Sequence, residues 1–135
     1  MAKLYLDIDG VLLTSKNTQA APGVDEFVDF ITQHFDCYWL TTHCKGDSTS
    51  ALQYLSRFLL PATIDKLKKF FHPTNWDVLK PEALDWESDF YWLDDNPFQS
   101  ELAILTANQA SSRLVIVDLN RPNELFSIRA KLSLE

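Results

Sequence analysis

The sequence predicts an α/β fold: a three-layer sandwich whose central, mainly parallel sheet of five strands is covered by helices on both faces. Apolar runs rich in β-branched and aromatic residues alternate with segments of helical periodicity, the order typical of parallel strands joined by crossover helices. The runs lack regular alternation of polar and apolar residues, as expected of strands buried on both faces. Residues 1–135 suffice for a single domain with its own core.

The predicted strands are short apolar segments spread along the whole chain. Four of them are predicted as buried strands: residues 3–8, 37–41, 90–93 and 114–119. A shorter run at residues 69–72 is the candidate for a fifth strand. Residues 10–22 are expected to contain at most a small hairpin.

The segments between the strands have helical patterns. From Gly23, one buried helix face is predicted by five apolar residues at helical spacing: Val24, Phe27, Val28, Ile31 and Phe35. Further helices are predicted over residues 48–59, over residues 62–68 after Pro61, and over residues 122–132. Asn96 is predicted to cap a helix that reaches about residue 108, with Gln99 as its capping-box partner.

Composition excludes several classes of function. The net charge of −7 and the pI near 4.8 disfavour a nucleic-acid partner, because phosphate binding needs clustered Lys and Arg. No apolar run approaches the ~20 residues of a membrane span, and the N-terminus lacks the pattern of a signal peptide. Two cysteines, Cys37 and Cys44, form neither a zinc pattern nor a disulfide framework. A cytoplasmic protein is therefore expected.

Polar residues follow the predicted strands at the point where each one ends. Asp7 and Asp9 lie at the end of the first strand, Thr41 ends the second, and Asp94 and Asp95 come directly after the strand at residues 90–93. Because the carboxyl ends of parallel strands meet at one edge of a sheet, these side chains are expected to converge there. Four carboxylates repel one another unless a cation binds between them, and all-oxygen sites suit Mg²⁺.

The pair Asp9-Gly10 has a second interpretation. Asp-Gly flanked by apolar residues is a strong signal for a two-residue β-hairpin turn, and Asp7 would then be only a solvated strand end. The alternation of strands and helices favours the site over the turn.

Lys80 is a candidate phosphate ligand ahead of the strand that ends in Asp94. Pro81 is typical of the first turn of a helix, so Lys80 is expected at a helix N-terminus, where backbone amides favour anions. A carboxylate beside Mg²⁺ could act as a nucleophile toward phosphorus. A lysine and a hydroxyl such as that of Thr41 could then neutralise the transferred phosphoryl group.

At these residues the sequence resembles the haloacid dehalogenase (HAD) superfamily of phosphotransferases. The Asp-x-Asp motif is matched in "LDIDGVL", the Thr that ends an apolar strand in "YWLTT", the lysine by Lys80, and the acidic pair in "YWLDD". The four motifs occur in the order of the family, and the resemblance covers nearly the whole chain. The first and the last are the specific ones.

The resemblance implies roles for the matched residues. Asp7 would be the nucleophile, and Asp9 the general acid and base that protonates the leaving group and later activates water. Thr41 and Lys80 would hold the phosphoryl oxygens. The Mg²⁺ ligands would come from the two acidic motifs: Asp7, Asp9 through its backbone carbonyl, Asp94, and Asp95 directly or through water.

The chain departs from the family pattern in having no room for a cap domain. Only residues 11–21 separate Gly10 from Pro22, and residues 42–80 are largely occupied by predicted core helices and one strand. The resemblance then implies an open site that takes a large phosphorylated substrate such as a phosphoprotein. The acidic net charge counts against polynucleotide ends.

These observations predict a Mg²⁺-dependent phosphomonoester hydrolase, a HAD-type phosphatase, that works through an aspartyl-phosphate on Asp7. One alternative is a non-catalytic regulatory module that keeps the phosphate and Mg²⁺ pocket. Another is a receiver domain, but there the adjacent acidic pair comes first and the phosphorylated Asp later. His43 could contact substrate but is expected to be an exposed loop residue. Cys44 is expected to be a small loop residue, although it could lie close enough to the edge for its oxidation to block the site.

Overall fold

The computed structural model describes residues 1–134 and contains one sheet of five parallel strands. The strands are β1 (Lys3–Leu6), β2 (Asp36–Trp39), β3 (Phe71–His72), β4 (Phe90–Asp94) and β5 (Leu114–Ile116). Their order is β3-β2-β1-β4-β5, so β1 lies at the centre between β2 and β4. All five predicted strands are present, and the sheet is entirely parallel.

Five helices connect the strands or follow them: α1 (Val24–His34), α2 (Thr49–Leu55), α3 (Pro61–Phe70), α4 (Gln99–Ala107) and α5 (Glu124–Ser133). Two short 3₁₀ helices, Lys80–Ala83 and Ser111–Arg113, precede β4 and β5. The predicted α/β three-layer fold is therefore confirmed.

Alternate residues of β1, β2, β4 and β5 face two separate hydrophobic clusters, which define the outer layers. On one face, Leu4 and Leu6 of β1 lie in a cluster with the buried faces of α1, α2, α3 and α5. On the other face, Tyr5 and Trp92 lie with Leu105 of α4. Burial on both faces explains why the strand sequences are continuously apolar.

The N-cap prediction at Asn96 is wrong. Helix α4 begins after Phe98, whose backbone N–H donates to a carboxylate oxygen of Glu101 at 2.9 Å. Asn96 instead donates its backbone N–H to Asp94 Oδ1 at 3.1 Å. The reciprocal contact of the capping box thus forms between Phe98 and Glu101, and the helix starts two residues later than the capping pattern indicated.

The segments where a cap domain could have been inserted belong to the core or are short. After Gly10 the chain makes a small hairpin, in which Leu13 bridges Ala20 in antiparallel fashion, as predicted. Between β2 and the 3₁₀ helix Lys80–Ala83, residues 42–79 hold α2, α3 and β3. Among residues 1–134, no helix combines the length and apolar character that crossing a membrane requires.

Candidate active site

The centre of the sheet delivers two carboxylates to its carboxyl edge. Asp7 follows β1 directly, and its backbone N–H donates to the carbonyl of Leu93 at 3.0 Å, which extends the β1–β4 pairing by one step. Asp94 is the last residue of β4. Register with the two central strands therefore fixes the backbone of both residues.

The ammonium of Lys80 lies between these two carboxylates. Its Nζ is 3.0 Å from Asp7 Oδ2 and 2.7 Å from Asp94 Oδ2. The side chains are only 12%, 14% and 2% exposed for Lys80, Asp7 and Asp94. Asp95 completes the group, because one carboxylate oxygen from each of the three aspartates lies within 4.8 Å of the others. Three carboxylates thus share one ammonium, which contacts two of them, and the cluster has excess negative charge.

This excess changes the proton affinities of the cluster. Burial and repulsion by Asp94 raise the pKa of Asp7 from 3.8 to about 6, although Lys80 opposes the change. Burial and the same neighbour raise the pKa of Asp95. Burial alone would lower the pKa of Lys80, but attraction to Asp7 and Asp94 outweighs it and the pKa is raised. Lys80 therefore stays charged, whereas its single positive charge does not neutralise the three carboxylates.

Glu101 of α4 fixes the backbone beneath Lys80. Its buried carboxylate accepts the backbone N–H of Lys80 at 2.8 Å and also that of Phe98 at 2.9 Å. One side chain thus joins the 3₁₀ helix that carries Lys80 to the start of α4. This anchoring lets Lys80 reach the two carboxylates from a segment outside the sheet.

Gly10 is required by the close approach of Asp95. Its φ is +84°, and a Cβ built there would lie 2.2 Å from Asp95 Cγ. Both the left-handed backbone and the missing side chain are properties of glycine. Gly10 therefore permits the chain to leave β1 close to Asp95. Asp9 and Gly10 are not the central residues of a two-residue β-hairpin turn.

Asp9 points its carboxylate toward residues that the sequence did not associate with it. The hydroxyl of Tyr54 donates to Asp9 Oδ1 at 2.7 Å, and His43 Nε2 lies 2.9 Å from Asp9 Oδ2. The rings of His43 and Tyr54 stack with centroids 4.3 Å apart. The prediction that His43 is merely an exposed loop residue is therefore wrong.

Thr41 lies at the same edge, two residues beyond β2, and is fully buried. Its Oγ1 accepts the backbone N–H of His43 at 3.3 Å. Because the oxygen accepts there, the hydroxyl hydrogen remains able to donate to another oxygen. The neighbouring Cys44 is also fully buried, and its Sγ faces the carbonyl of Thr74.

The structure thus brings Asp7, Asp94, Asp95 and Lys80 into one cluster, with Thr41 and Asp9 at the same edge. Sequence reasoning missed the contacts of three further residues: His43, Tyr54 and Glu101. For Glu101 a signal existed, since an acid three residues after the true N-cap is typical of a helix start. For Tyr54 no periodicity indicated that its hydroxyl reaches a carboxylate 45 residues away.

Comparison of the chain with protein-family models and with curated proteins finds no match. Its function must therefore be inferred from its own residues.

Proposed function

We propose that the chain is a Mg²⁺-dependent phosphomonoesterase that forms an aspartyl-phosphate on Asp7, as its resemblance to the HAD superfamily implies. One observation supports this most strongly. Asp7, Asp94 and Asp95 form a largely buried cluster that a single lysine does not neutralise. Buried carboxylates in excess are unfavourable unless a cation balances them.

The donors at this edge fit Mg²⁺. They are hard carboxylate oxygens from three residues on adjacent segments, and Mg²⁺ prefers one or two such carboxylates, water and a substrate phosphate. Asp7, Asp94 and Asp95 would hold the ion, with the backbone carbonyl of Asp9 as the further ligand expected from the resemblance. A bound Mg²⁺ would neutralise the carboxylates and the phosphoryl oxygens.

The residues supply the remaining chemistry in two steps. In the first, a carboxylate oxygen of Asp7 forms a bond to phosphorus, the bond from phosphorus to the ester oxygen breaks, and Asp9 gives a proton to that oxygen. In the second, water attacks phosphorus, Asp9 takes a proton from the water, and the bond between Asp7 and phosphorus breaks. The ammonium of Lys80 and the hydroxyl of Thr41 stabilise the phosphoryl oxygens.

The uncapped edge favours a large phosphorylated substrate, such as a phosphoprotein, over a small metabolite that a cap would enclose. The net charge of −7 favours protein over polynucleotide. Both cysteines are free thiols, which agrees with a reducing compartment, and we propose a cytoplasmic location.

The test is phosphate release from a panel of phosphomonoesters that includes phosphopeptides, with Mg²⁺ and with EDTA. We expect turnover only with Mg²⁺ and a loss of at least about a thousandfold in Asp7→Asn. Asp36→Asn is the control, because Asp36 begins β2 at the other end of the sheet. Unchanged turnover in Asp7→Asn would contradict the proposal. Binding of Mg²⁺ and a phosphate mimic without turnover would support the non-catalytic module instead.

A further inference from the structure

The carboxylate of Asp9 is held at both of its oxygens, although it lies at the open edge of the molecule. Its side chain is 42% exposed. An exposed aspartate without partners samples several rotamers, and fixing it during a reaction costs conformational entropy. Here Tyr54 donates to Oδ1 at 2.7 Å and His43 Nε2 meets Oδ2 at 2.9 Å. Asp9 is therefore oriented before any substrate arrives.

The two residues that hold Asp9 are themselves anchored. Tyr54 lies on α2, and its ring packs edge-on against Phe58 at 5.7 Å between centroids and borders the larger hydrophobic cluster. The ring of His43 stacks on that of Tyr54, and its backbone N–H donates to the buried Thr41. The side chains of His43 and Tyr54 both contact Asp9, whereas His43 reaches Thr41 only through its backbone N–H.

The two contacts hold different oxygens of Asp9, because the Tyr54 hydroxyl donates to Oδ1 and His43 Nε2 lies against Oδ2. Together they fix the plane of the carboxylate as well as its position.

We propose that His43 and Tyr54 are positioning residues that orient the carboxylate of Asp9 for proton transfer to the leaving group and from water. This rests on the proposed phosphatase function. In the first step the proton passes from Asp9 to the ester oxygen as its bond to phosphorus breaks. In the second step Asp9 takes a proton from the attacking water as the water oxygen bonds to phosphorus and the bond between Asp7 and phosphorus breaks.

The leaving group decides how much this orientation contributes. An alkoxide is a poor leaving group that needs the proton, whereas para-nitrophenolate leaves without one. General acid catalysis contributes about 10²–10⁴-fold where it is needed. Loss of the positioning contacts should therefore slow formation of the aspartyl-phosphate from alkyl phosphates, such as a phosphoserine peptide, far more than from para-nitrophenyl phosphate.

The test uses His43→Phe and Tyr54→Phe, which keep the stacked rings but remove one contact each. We expect kcat/KM, which reports the steps up to formation of the aspartyl-phosphate, to fall about 10- to 100-fold for the best alkyl phosphate and less than about threefold for para-nitrophenyl phosphate. Hydrolysis of the aspartyl-phosphate is common to both substrates and also uses Asp9, so kcat for the aryl phosphate should fall wherever that step limits turnover. Adding either substitution to Asp9→Asn should cause no further loss, because both residues act through Asp9.

A second group of the same three residue types provides a matched control. Tyr38 donates to Asp36 Oδ2 at 3.1 Å, and His72 Nε2 lies 3.2 Å from Asp36 Oδ1. This group begins at the first residue of β2, away from the cluster. Tyr38→Phe and His72→Phe remove the same atoms there and should change turnover of neither substrate.

Three results would overturn the inference alone: equal loss of kcat/KM for both leaving groups, further loss in the Asp9→Asn background, or wild-type kcat/KM for both substrates in His43→Phe and Tyr54→Phe. Absence of phosphate release from every monoester would overturn the proposed function and the inference together. Circular dichroism and thermal melting check that each variant folds, and His43→Phe tests the inference even if Tyr54→Phe does not fold.

Discussion

The two ends of the sheet carry opposite kinds of charge arrangement. At the amino end, Lys3 pairs with Asp85 at 2.8 Å, with side chains 25% and 42% exposed, and each charge has a single opposite partner. At the carboxyl end, Lys80 meets Asp7 and Asp94, and Asp95 adds a third carboxylate in the same cluster. The charges of the amino-end pair are balanced and exposed to solvent, whereas the carboxyl-end cluster is buried and has excess negative charge.

This difference separates two kinds of charge: exposed ion pairs on the surface, and buried charges of the kind found in binding sites. Exposed pairs contribute little to stability because water and salt screen them. Buried carboxylates in excess lower stability, and the raised pKa of Asp7 reports that effect. A buried cluster in excess of its counter-charge is expected where binding of a cation offsets the lost stability, which is why the carboxyl end is the proposed site.

The largest expected effect is that of removing Lys80. In the metal-free protein, Lys80→Met leaves Asp7 and Asp94 buried without a counter-charge, and we expect a loss of about 3 kcal/mol in the free energy of unfolding. This corresponds to a fall of about 10 °C in Tm, measured by calorimetry in EDTA.

The same substitution at the amino end is the control. Lys3→Met removes an exposed pair and should lower Tm by less than about 3 °C. Similar losses in the two variants would show that the carboxyl-end cluster is not under electrostatic stress, and the comparison of the two ends would fail.

The second effect is stabilisation by Mg²⁺. At a concentration about a hundred times its Kd, Mg²⁺ should raise the free energy of unfolding by about 2.7 kcal/mol, and EDTA should reverse the change. Asp94→Asn should abolish the response, whereas Asp36→Asn should keep it, because only the former alters the cluster. A response that Asp94→Asn retains would place the ion elsewhere.

How far the sequence predicts this molecule differs between its strands and its loops. The strands are short apolar runs, and their order with the helices was enough to predict the sheet. Asp7 and Asp94 could be predicted as neighbours because sheet register fixes every residue at a strand end. The fifth strand, β3, is only two residues long, so its sequence signal was weak.

The contacts of Asp9 could not be predicted in the same way. His43 lies in the loop after β2 and Tyr54 on α2, and no register relates a loop or a helix face to a strand end. Their meeting depends on the angle at which α2 leaves the sheet, which sequence periodicity does not specify. The charge of Lys80 and the proline that follows it predict a phosphate ligand at a helix start. The contact with Glu101 that fixes its backbone depends on the folded structure and has no sequence signal of its own.

The smallest of these effects is a pH dependence of stability, and it isolates the charge of Asp7. Burial, with repulsion from Asp94, raises the pKa of Asp7 from 3.8 to about 6 in the folded protein. When the pH lies between these two pKa values, the folded protein binds more protons at Asp7 than the unfolded chain does. The contribution of Asp7 to the free energy of unfolding is therefore present below about pH 4 and is lost as pH rises through about 6.

Asp7→Asn carries no such charge at any pH. In EDTA it should match the wild type near pH 4 and exceed its free energy of unfolding by about 2 kcal/mol at pH 8, as measured by urea denaturation. Saturating Mg²⁺ should reverse this order at pH 8, because the ion stabilises the ionised carboxylate that Asn lacks. A constant difference between the two proteins from pH 4 to pH 8 would mean that Asp7 ionises normally and that the carboxyl end is as well balanced as the amino end.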